Sequence, residues 1–530
     1  PNPGTLRLPD PGDLSRDARV WSSWWPPGLP FLYAPLAMTG LPLAASLRLT
    51  SFLLFLAGSL GWLRLADRLA LSRPVRLLYT LSLAGYAVTL GGAASLRSAD
   101  VLAFAAAPWL IAVTLRLGRR ESTAASGLQL LLGGLALGLS YWLKYSLFLA
   151  VLPLLGWLAW RVVHSAEVAP AARVLRLALL GTGFALPVAG LIALNLAQSE
   201  GLVDSAAGNR TITRPEDLPS VRPLPMAVAL AGAPGLGLFQ SHLWATHLVF
   251  FSDGRLPFLR GRDHSERLLL ESLLGIPGTA ALVWGLLRER RRRLGDGVDL
   301  ALAATAGFYL ILTAVSLLIR YNYLANEPRL AVGLMPFAQC LALSGGLAGR
   351  PASWGARAAL ALLLALFAVP LAFGAASFLK NDLKERLAPP YVASSTGLFV
   401  PEISPRNATE VEAGVAAAVW SPRDVVVLAG PAGWGSSLMM WLEFPQRTLP
   451  VSTWDIPLGA RYLDAAELRG TRPLLSSQDL GVVLVVSRSL LAAGWLGRLE
   501  ARFPQVRTWQ AVPVPAHASV AVWRGDLEVR

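Results

Sequence analysis

"LVWGLLRERRRRLGDGVDLALA", residues 282–303, is two apolar runs separated by a block of arginine. The apolar character extends back to about 268 and forward to about 319. Each side therefore supplies the roughly 20 apolar residues that cross a bilayer as a helix. Five arginines and one glutamate between 288 and 293 cannot sit in hydrocarbon. A short, strongly basic loop between two spans is retained on the cytoplasmic side. This one stretch marks the chain as a membrane protein and gives it an orientation.

On either side of it, ten segments in all qualify as spans: about 44–64, 75–92, 100–117, 126–142, 146–162, 173–196, 268–287, 299–319, 329–348 and 357–378. The segments between them alternate. One set carries Arg64, Arg68, Arg73 and Arg76, then Arg116, Arg119 and Arg120, then Arg161 and Arg173, then 288–294, then Arg350 and Arg357. The other set is 93–99, 143–145, 197–267, 320–328 and everything after 378, and it is mixed in charge. Every loop agrees with its parity, so the second set faces outward. Residues 1–43 then also lie outside. The sequence starts at Pro1 with neither methionine nor signal sequence, so the expectation is a preceding span, eleven in the full protein, with a cleaved signal peptide as the alternative.

Composition agrees. The chain is 54% hydrophobic and 15% charged, with a mean hydropathy of +0.50. The net charge of +14 comes from arginine, because lysine occurs only at Lys144, Lys380 and Lys384. Such a balance can mark a nucleic-acid binder. Here the arginines fall between apolar runs and topology accounts for them, so no nucleic-acid partner is expected. Cys340 is the single cysteine and excludes an internal disulfide.

After about 379 the composition becomes that of a soluble domain. "DVVVLAG" (424–430) and "LGVVLVVS" (480–487) suit buried parallel strands. Segment 406–420 and "SLLAAGWLGRLEARF" (489–503) have helical periodicity, and "VRTWQAV" and "ASVAVWRG" read as further strands. The alternation predicts a small doubly wound sheet. The organisation expected is therefore a first outer loop at 1–43, a transmembrane domain at 44–378 with a long outer loop at 197–267, and an extracytoplasmic α/β domain at 379–530.

Three stretches carry a family resemblance. "WWPPGLPFLYAPLAMTGLPLAASLRLTSFLLFLAG" (24–58), "SADVLAFAAAPWLIAVTLRL" (98–117) and "RYNYLANEPRLAVGLMPF" (320–337), in this order and on this side of the membrane, resemble the GT-C superfamily of membrane glycosyltransferases, which includes the protein mannosyltransferases and the aminoarabinose transferase of lipid A. The resemblance covers most of the chain. It implies transfer of a sugar from a polyprenyl-phosphate carrier to a glycan, lipid or protein acceptor at the outer face of a bacterial inner membrane. It also implies an acid in the first outer loop as general base and basic groups near the membrane surface for the carrier phosphate.

The residues themselves offer candidates for both roles. Asp17, Asp13 and Asp10 precede the tryptophan-proline corner, and a carboxylate there can take the acceptor proton in an inverting transfer. Asp100 opens a span from the outside, where an acid also satisfies the helix dipole. Lys144 sits in a hairpin so short, "LSYWLKYSLFL", that its ammonium lies at the membrane boundary, where ionisable groups are functional candidates. Its alternative is a snorkelling lysine among belt aromatics. Arg320, Glu327 and Arg329 bracket an outer loop; a guanidinium binds phosphate bidentately, and a salt-bridged loop is the other reading. No metal site is expected, since the spacing of His242 and His247 does not place both on one helix face. "GPAGWGSS" (430–437) is a tight strand–helix turn rather than a phosphate loop. No motif assigns a cofactor, and a divalent cation is the one candidate.

Two rivals remain. A catalytically silent scaffold, an accessory subunit of a membrane complex, keeps this fold without the chemistry. A transporter predicts internal repeats and midspan charges, and neither is visible.

Overall fold

The structure is a computed structural model. It describes residues 5–10, 13–21, 26–41, 43–81, 83, 100–118, 126–165, 168–198, 215–247, 264–292, 295–326, 328–349, 353–366, 368, 405–419, 424–430, 447–452, 460–462, 481–488, 491, 497, 503–514 and 520–527. The helices are α1 (Gly28–Met38), α2 (Leu43–Arg68), α3 (Asp100–Gly118), α4 (Gly127–Gly138), α5 (Ser140–Leu143), α6 (Tyr145–Val163), α7 (Pro170–Gln198), α8 (Pro223–His247), α9 (His264–Arg292), α10 (Asp296–Ile319), α11 (Met335–Leu347), α12 (Trp354–Leu366) and α13 (Pro405–Ala418). A further helical stretch covers 73–81.

The chain is a multi-pass membrane protein. Among the described residues six helices are long and apolar enough to cross a bilayer: those of α2, α3, α6, α7, α9 and α10. Shorter apolar helices cover Gly28–Met38, Gly127–Leu143, Pro223–Leu238 and Trp354–Leu366. Where they are described, the ten segments read from the sequence are mainly helical, with a break at Leu139 inside 126–142. The segment expected at 329–348 begins as a 3₁₀ turn, Pro328–Gly333, and becomes α-helix only at Met335. Pro336 lacks an N–H and is confined to a first turn, which sets that start.

Helix α2 shows how the bundle is built. Leu49, Phe52, Leu53, Leu56 and Leu60 are exposed, while Leu47, Trp62 and Leu65 are buried. The exposed face is as apolar as the buried one, as a lipid-facing helix requires. The inner contacts rest on small residues. A Cβ at Gly58 would lie 2.7 Å from the Phe104 ring, and Gly134 and Gly183 bring α4 and α7 backbone to backbone at Leu180 and Leu131. Gly232 abuts Ser272, and Gly235 abuts Gly275 and Thr279, so α8 and α9 run side by side in the same direction.

One face is pinned by arginines. Arg161 donates to the Gly118 carbonyl at 3.0 Å and lies 3.2 Å from Asp296. Arg290 lies 2.8 Å from Asp299. Arg292 binds both oxygens of Glu289, at 2.9 and 3.0 Å, and Ser344 donates to the same carboxylate at 3.0 Å. The ends of α3, α6, α9 and α11 and the start of α10 therefore lie together. The opposite face holds the starts of α3, α6 and α9, the end of α10 and the 3₁₀ turn.

The C-terminal part holds a five-stranded sheet of β3 (Val425–Gly430), β4 (Arg447–Ser452), β6 (Gly481–Ser487), β7 (Val506–Val512) and β8 (Val520–Leu527), in the order β4-β3-β6-β8-β7. β3 is parallel to β4 and β6; β8 is antiparallel to both β6 and β7. The parallel trio matches the expectation from the unbroken valine runs. The sheet is mixed rather than doubly wound throughout, because the link from Val512 to Val520 is too short for a parallel crossover. Val411, Val415 and Ala418 of α13 pack on one face of the sheet against Val426, Leu428, Val483 and Val485. Asp424 and Arg524 form a buried ion pair at 2.8 Å, completed by the Gly481 N–H and the Ala418 carbonyl.

The other face holds Leu14. Residues 5–21 are a hairpin of β1 (Thr5–Asp10) and β2 (Asp13–Trp21), and β2 pairs with β5 (Ala460–Tyr462) in a three-stranded sheet. Leu14 is fully buried in a core with Val427, Ala429, Leu449, Leu484 and Phe503. The stretch read as an outer loop is thus a strand pair that joins a strand of the C-terminal region and packs on the five-stranded sheet through Leu14. The two must share one side of the membrane, so the chain crosses an even number of times between Trp21 and Pro405.

Candidate functional site

Four of the candidates, Asp100, Lys144, Arg320 and Arg329, have their backbones at the face opposite the arginines. Ser126 and Gln129 form a reciprocal capping box that starts α4. Helix α4 is followed by the single turn α5 and then by Lys144, which is extended (φ −164°, ψ 135°) and is the N-cap of α6. This break lets two helices meet at one residue without a loop. The Lys144 N–H bonds the Ser140 carbonyl at 3.0 Å, and its carbonyl accepts from Phe148 at 3.0 Å. Lys144 is only 6% exposed. The Lys144 side chain makes no capping bond to α6, and the first amides of a helix have no partner within it. Ser146, in that first turn, is buried, and its hydroxyl makes no hydrogen bond among the described residues.

Aromatic rings brace the turn. Trp142 donates to the Pro187 carbonyl at 2.6 Å. Tyr141 lies against Tyr145 and Phe148, and Phe148 stacks on Phe184. Phe31 of α1 lies 6.3 Å from the Trp142 ring. Pro26, Pro27 and Gly28 are buried, and a Cβ at Gly28 would lie 2.7 Å from the Trp142 carbonyl oxygen and 2.8 Å from Leu143 Cα. The Pro-Pro-Gly corner therefore seats on the turn that carries Lys144.

The remaining candidates approach through one packed layer. A Cβ at Gly333 would lie 3.5 Å from Leu147 Cδ1, 3.6 Å from Ala107 Cβ and 3.8 Å from the Ala103 carbonyl oxygen. Three chain segments meet there, and all three run from this face towards the arginine face. Asp100 precedes Ala103 by three residues, Lys144 precedes Leu147 by three, and Arg329 precedes Gly333 by four. At ~1.5 Å per helical residue and ~2 Å in a 3₁₀ turn, each backbone position lies ~5–8 Å outward of the layer.

Arg320 belongs to the same face but is exposed. It caps α10 in the left-handed region, φ 58°, with its N–H on the Ser316 carbonyl. Asn322, which sequence reasoning passed over, fixes the loop behind it. It is buried, donates to the Ser220 carbonyl at 3.1 Å and accepts from the Ala325 N–H at 3.2 Å. An asparagine between two tyrosines was the available signal.

Asp13 and Asp17 lie on β2, paired with Asp10 and Pro9. Five residue steps separate Trp21 from Pro26, which limits that gap to about 18 Å. The hairpin acids are thus tethered to the Lys144 turn but belong to the sheet. Glu327 and residues 431–437 of the "GPAGWGSS" turn lie outside the described residues, as do the side chains of Asp100, His242, His247 and Arg329. Glu271 is buried in α9, two turns from its start. Among the described residues no cluster of His, Cys, Asp and Glu could hold a metal ion.

No family model matches the chain, and no curated protein sequence matches it. Among solved structures it is similar to ArnT from Cupriavidus metallidurans in the apo state, at 15% identity and a TM-score of 0.33, over 95% of this chain and 88% of that one. It is similar also to the same protein bound to undecaprenyl phosphate, at 14% identity and a TM-score of 0.31, over 94% and 87%.

Proposed function

We propose that this chain is an integral-membrane glycosyltransferase of the GT-C type. It takes a sugar from a polyprenyl-phosphate donor and passes it to an acceptor at the face opposite the arginines, the extracytoplasmic face of a bacterial inner membrane. The observation that supports this most is the shared layer of Ala103, Leu147 and Gly333. It brings the backbones of Asp100, Lys144 and Arg329, from three distant segments, near one end of their helices, an end we read as the outer membrane boundary. One acid and two cations there answer the needs of the reaction.

Lys144 holds the donor phosphate. A compact ammonium on a buried turn, beside the N-terminal amides of α6 and the Ser146 hydroxyl, favours a phosphate dianion or diester. Arg329 or Arg320 supplies the second cation. The acceptor hydroxyl attacks the anomeric carbon as its bond to the phosphate oxygen breaks. The polyprenyl phosphate leaves with the electron pair, and a carboxylate takes the acceptor proton. Asp100 is the base we favour, since it opens a helix about one turn outward of that layer. Asp17 and Asp13 reach the site only if the hairpin bends back over it. A divalent cation on the leaving phosphate is compatible with this chemistry.

Purified protein in vesicles, offered a panel of polyprenyl-phosphate sugars and membrane acceptors, tests the proposal. Turnover by wild type and loss of at least a hundredfold in Asp100→Asn is expected. Turnover retained in Asp100→Asn but lost in Asp17→Asn moves the base to the hairpin. Binding of the carrier without transfer to any acceptor supports the scaffold reading instead.

A further inference from the structure

The arginine face holds a cavity of about 540 Å³ that the proposed reaction does not use. Its apolar lining is Leu69, Ala112, Leu115, Val298 and Leu341. Its charged lining is Arg68, Arg116, Glu289 and Asp296. The two acids are already engaged. Glu289 is bound by Arg292 and Ser344, and Asp296 pairs with Arg161. Arg68 and Arg116 are exposed and have no ion-pair partner among the described residues. The site thus carries two uncommitted positive charges beside an apolar lining. No side chain caps the start of α10 at Gly295, and Leu69 lies over Gly297, its Cδ2 2.8 Å from where a Cβ would stand.

We infer that this cavity binds the phosphate of an anionic phospholipid. Arg68 and Arg116 clamp the phosphate oxygens, the α10 amides face the same charge, and the apolar lining receives the first carbons of the acyl chains. Basic pockets between helices on the arginine-rich side are suited to such headgroups, because that leaflet is anionic. The occupant is distinct from the sugar donor. Asp100 and Arg116 stand at opposite ends of α3, about 24 Å apart at ~1.5 Å per residue.

Native mass spectrometry of the full chain tests this, with phosphatidylglycerol, phosphatidylcholine or inorganic phosphate as probe. Wild type should retain phosphatidylglycerol at least fivefold more than phosphatidylcholine. The double variant Arg68→Gln, Arg116→Gln should lose that preference, while Arg291→Gln, exposed on the same face but outside the cavity, should keep it. Equal retention of the two lipids by wild type overturns the inference whether or not the variants fold. An arginine-dependent inorganic-phosphate adduct with no phosphatidylglycerol preference overturns the lipid source. Failure of sugar transfer leaves this result unaffected, since neither arginine lies near the transfer site.

Discussion

Gly28 rests on the backbone carbonyl of Trp142, so close that a Cβ there would stand 2.7 Å from the oxygen. This contact locks the first apolar helix to the turn that presents Lys144. Gly28→Ala forces backbone to move, and backbone yields at greater cost than a side chain. A loss of about 1–3 kcal/mol is expected, visible as a lowered unfolding temperature in detergent, with transfer reduced alongside it.

Arg320 gives a sharper separation of fold from function. A non-glycine residue in the left-handed region costs roughly 1–2 kcal/mol. Arg320→Gly should therefore leave stability equal or higher. If Arg320 helps hold the donor phosphate, KM for the donor rises at least tenfold in the same variant. Unchanged KM with raised stability assigns the phosphate contact to Arg329.

Leu14 tests the tie between the N-terminal hairpin and the C-terminal sheet. It is fully buried among Val427, Leu449 and Phe503. Leu14→Ala should cost about 2–5 kcal/mol of that sheet's stability. Limited proteolysis should then cut within residues 1–25 faster than in wild type, while cleavage around the membrane helices stays unchanged.

The membrane part was legible because its signals are local and redundant. Each arginine cluster marks one end of a span, and the run from Arg288 to Arg293 alone sets the direction of two helices. The strands 425–430 and 481–487 were legible as unbroken valine runs that only a buried position tolerates. The hairpin at 5–21 was hidden. Its hydrophobic pattern is short, three acids and three arginines interrupt it, and its partner strand at 460–462 lies far down the chain. Helix α8 was hidden for another reason. "AVALAGAPGLGL" (227–238) is rich in glycine and proline, which lower helix propensity, yet small residues are what allow residues 232–238 to be buried on every side. Of the site, the residue types were readable and their convergence was not, since Ala103, Leu147 and Gly333 have nothing in their sequence that marks them as neighbours.

Orientation is open to direct labelling. Cys340 is buried and gives little background. Glu412→Cys on α13 and Arg291→Cys on the arginine face are both exposed positions. In intact cells a membrane-impermeant maleimide should label the first and spare the second. The reverse pattern places the sheet in the cytoplasm and removes the proposed outer-face chemistry.

Lys144 carries the proposed donor site, and carrier binding reads it without any intervening step. Affinity of the full chain for a long-chain polyprenyl phosphate should be compared between wild type and Lys144→Gln, with monodispersity and unfolding temperature as controls for fold. Saturable binding by wild type should weaken at least tenfold in the variant, as expected for losing a charge-assisted contact of about 1.5–3 kcal/mol. Equal affinity in a folded variant, or no saturable binding by wild type, removes Lys144 from the donor site and the donor site from this face.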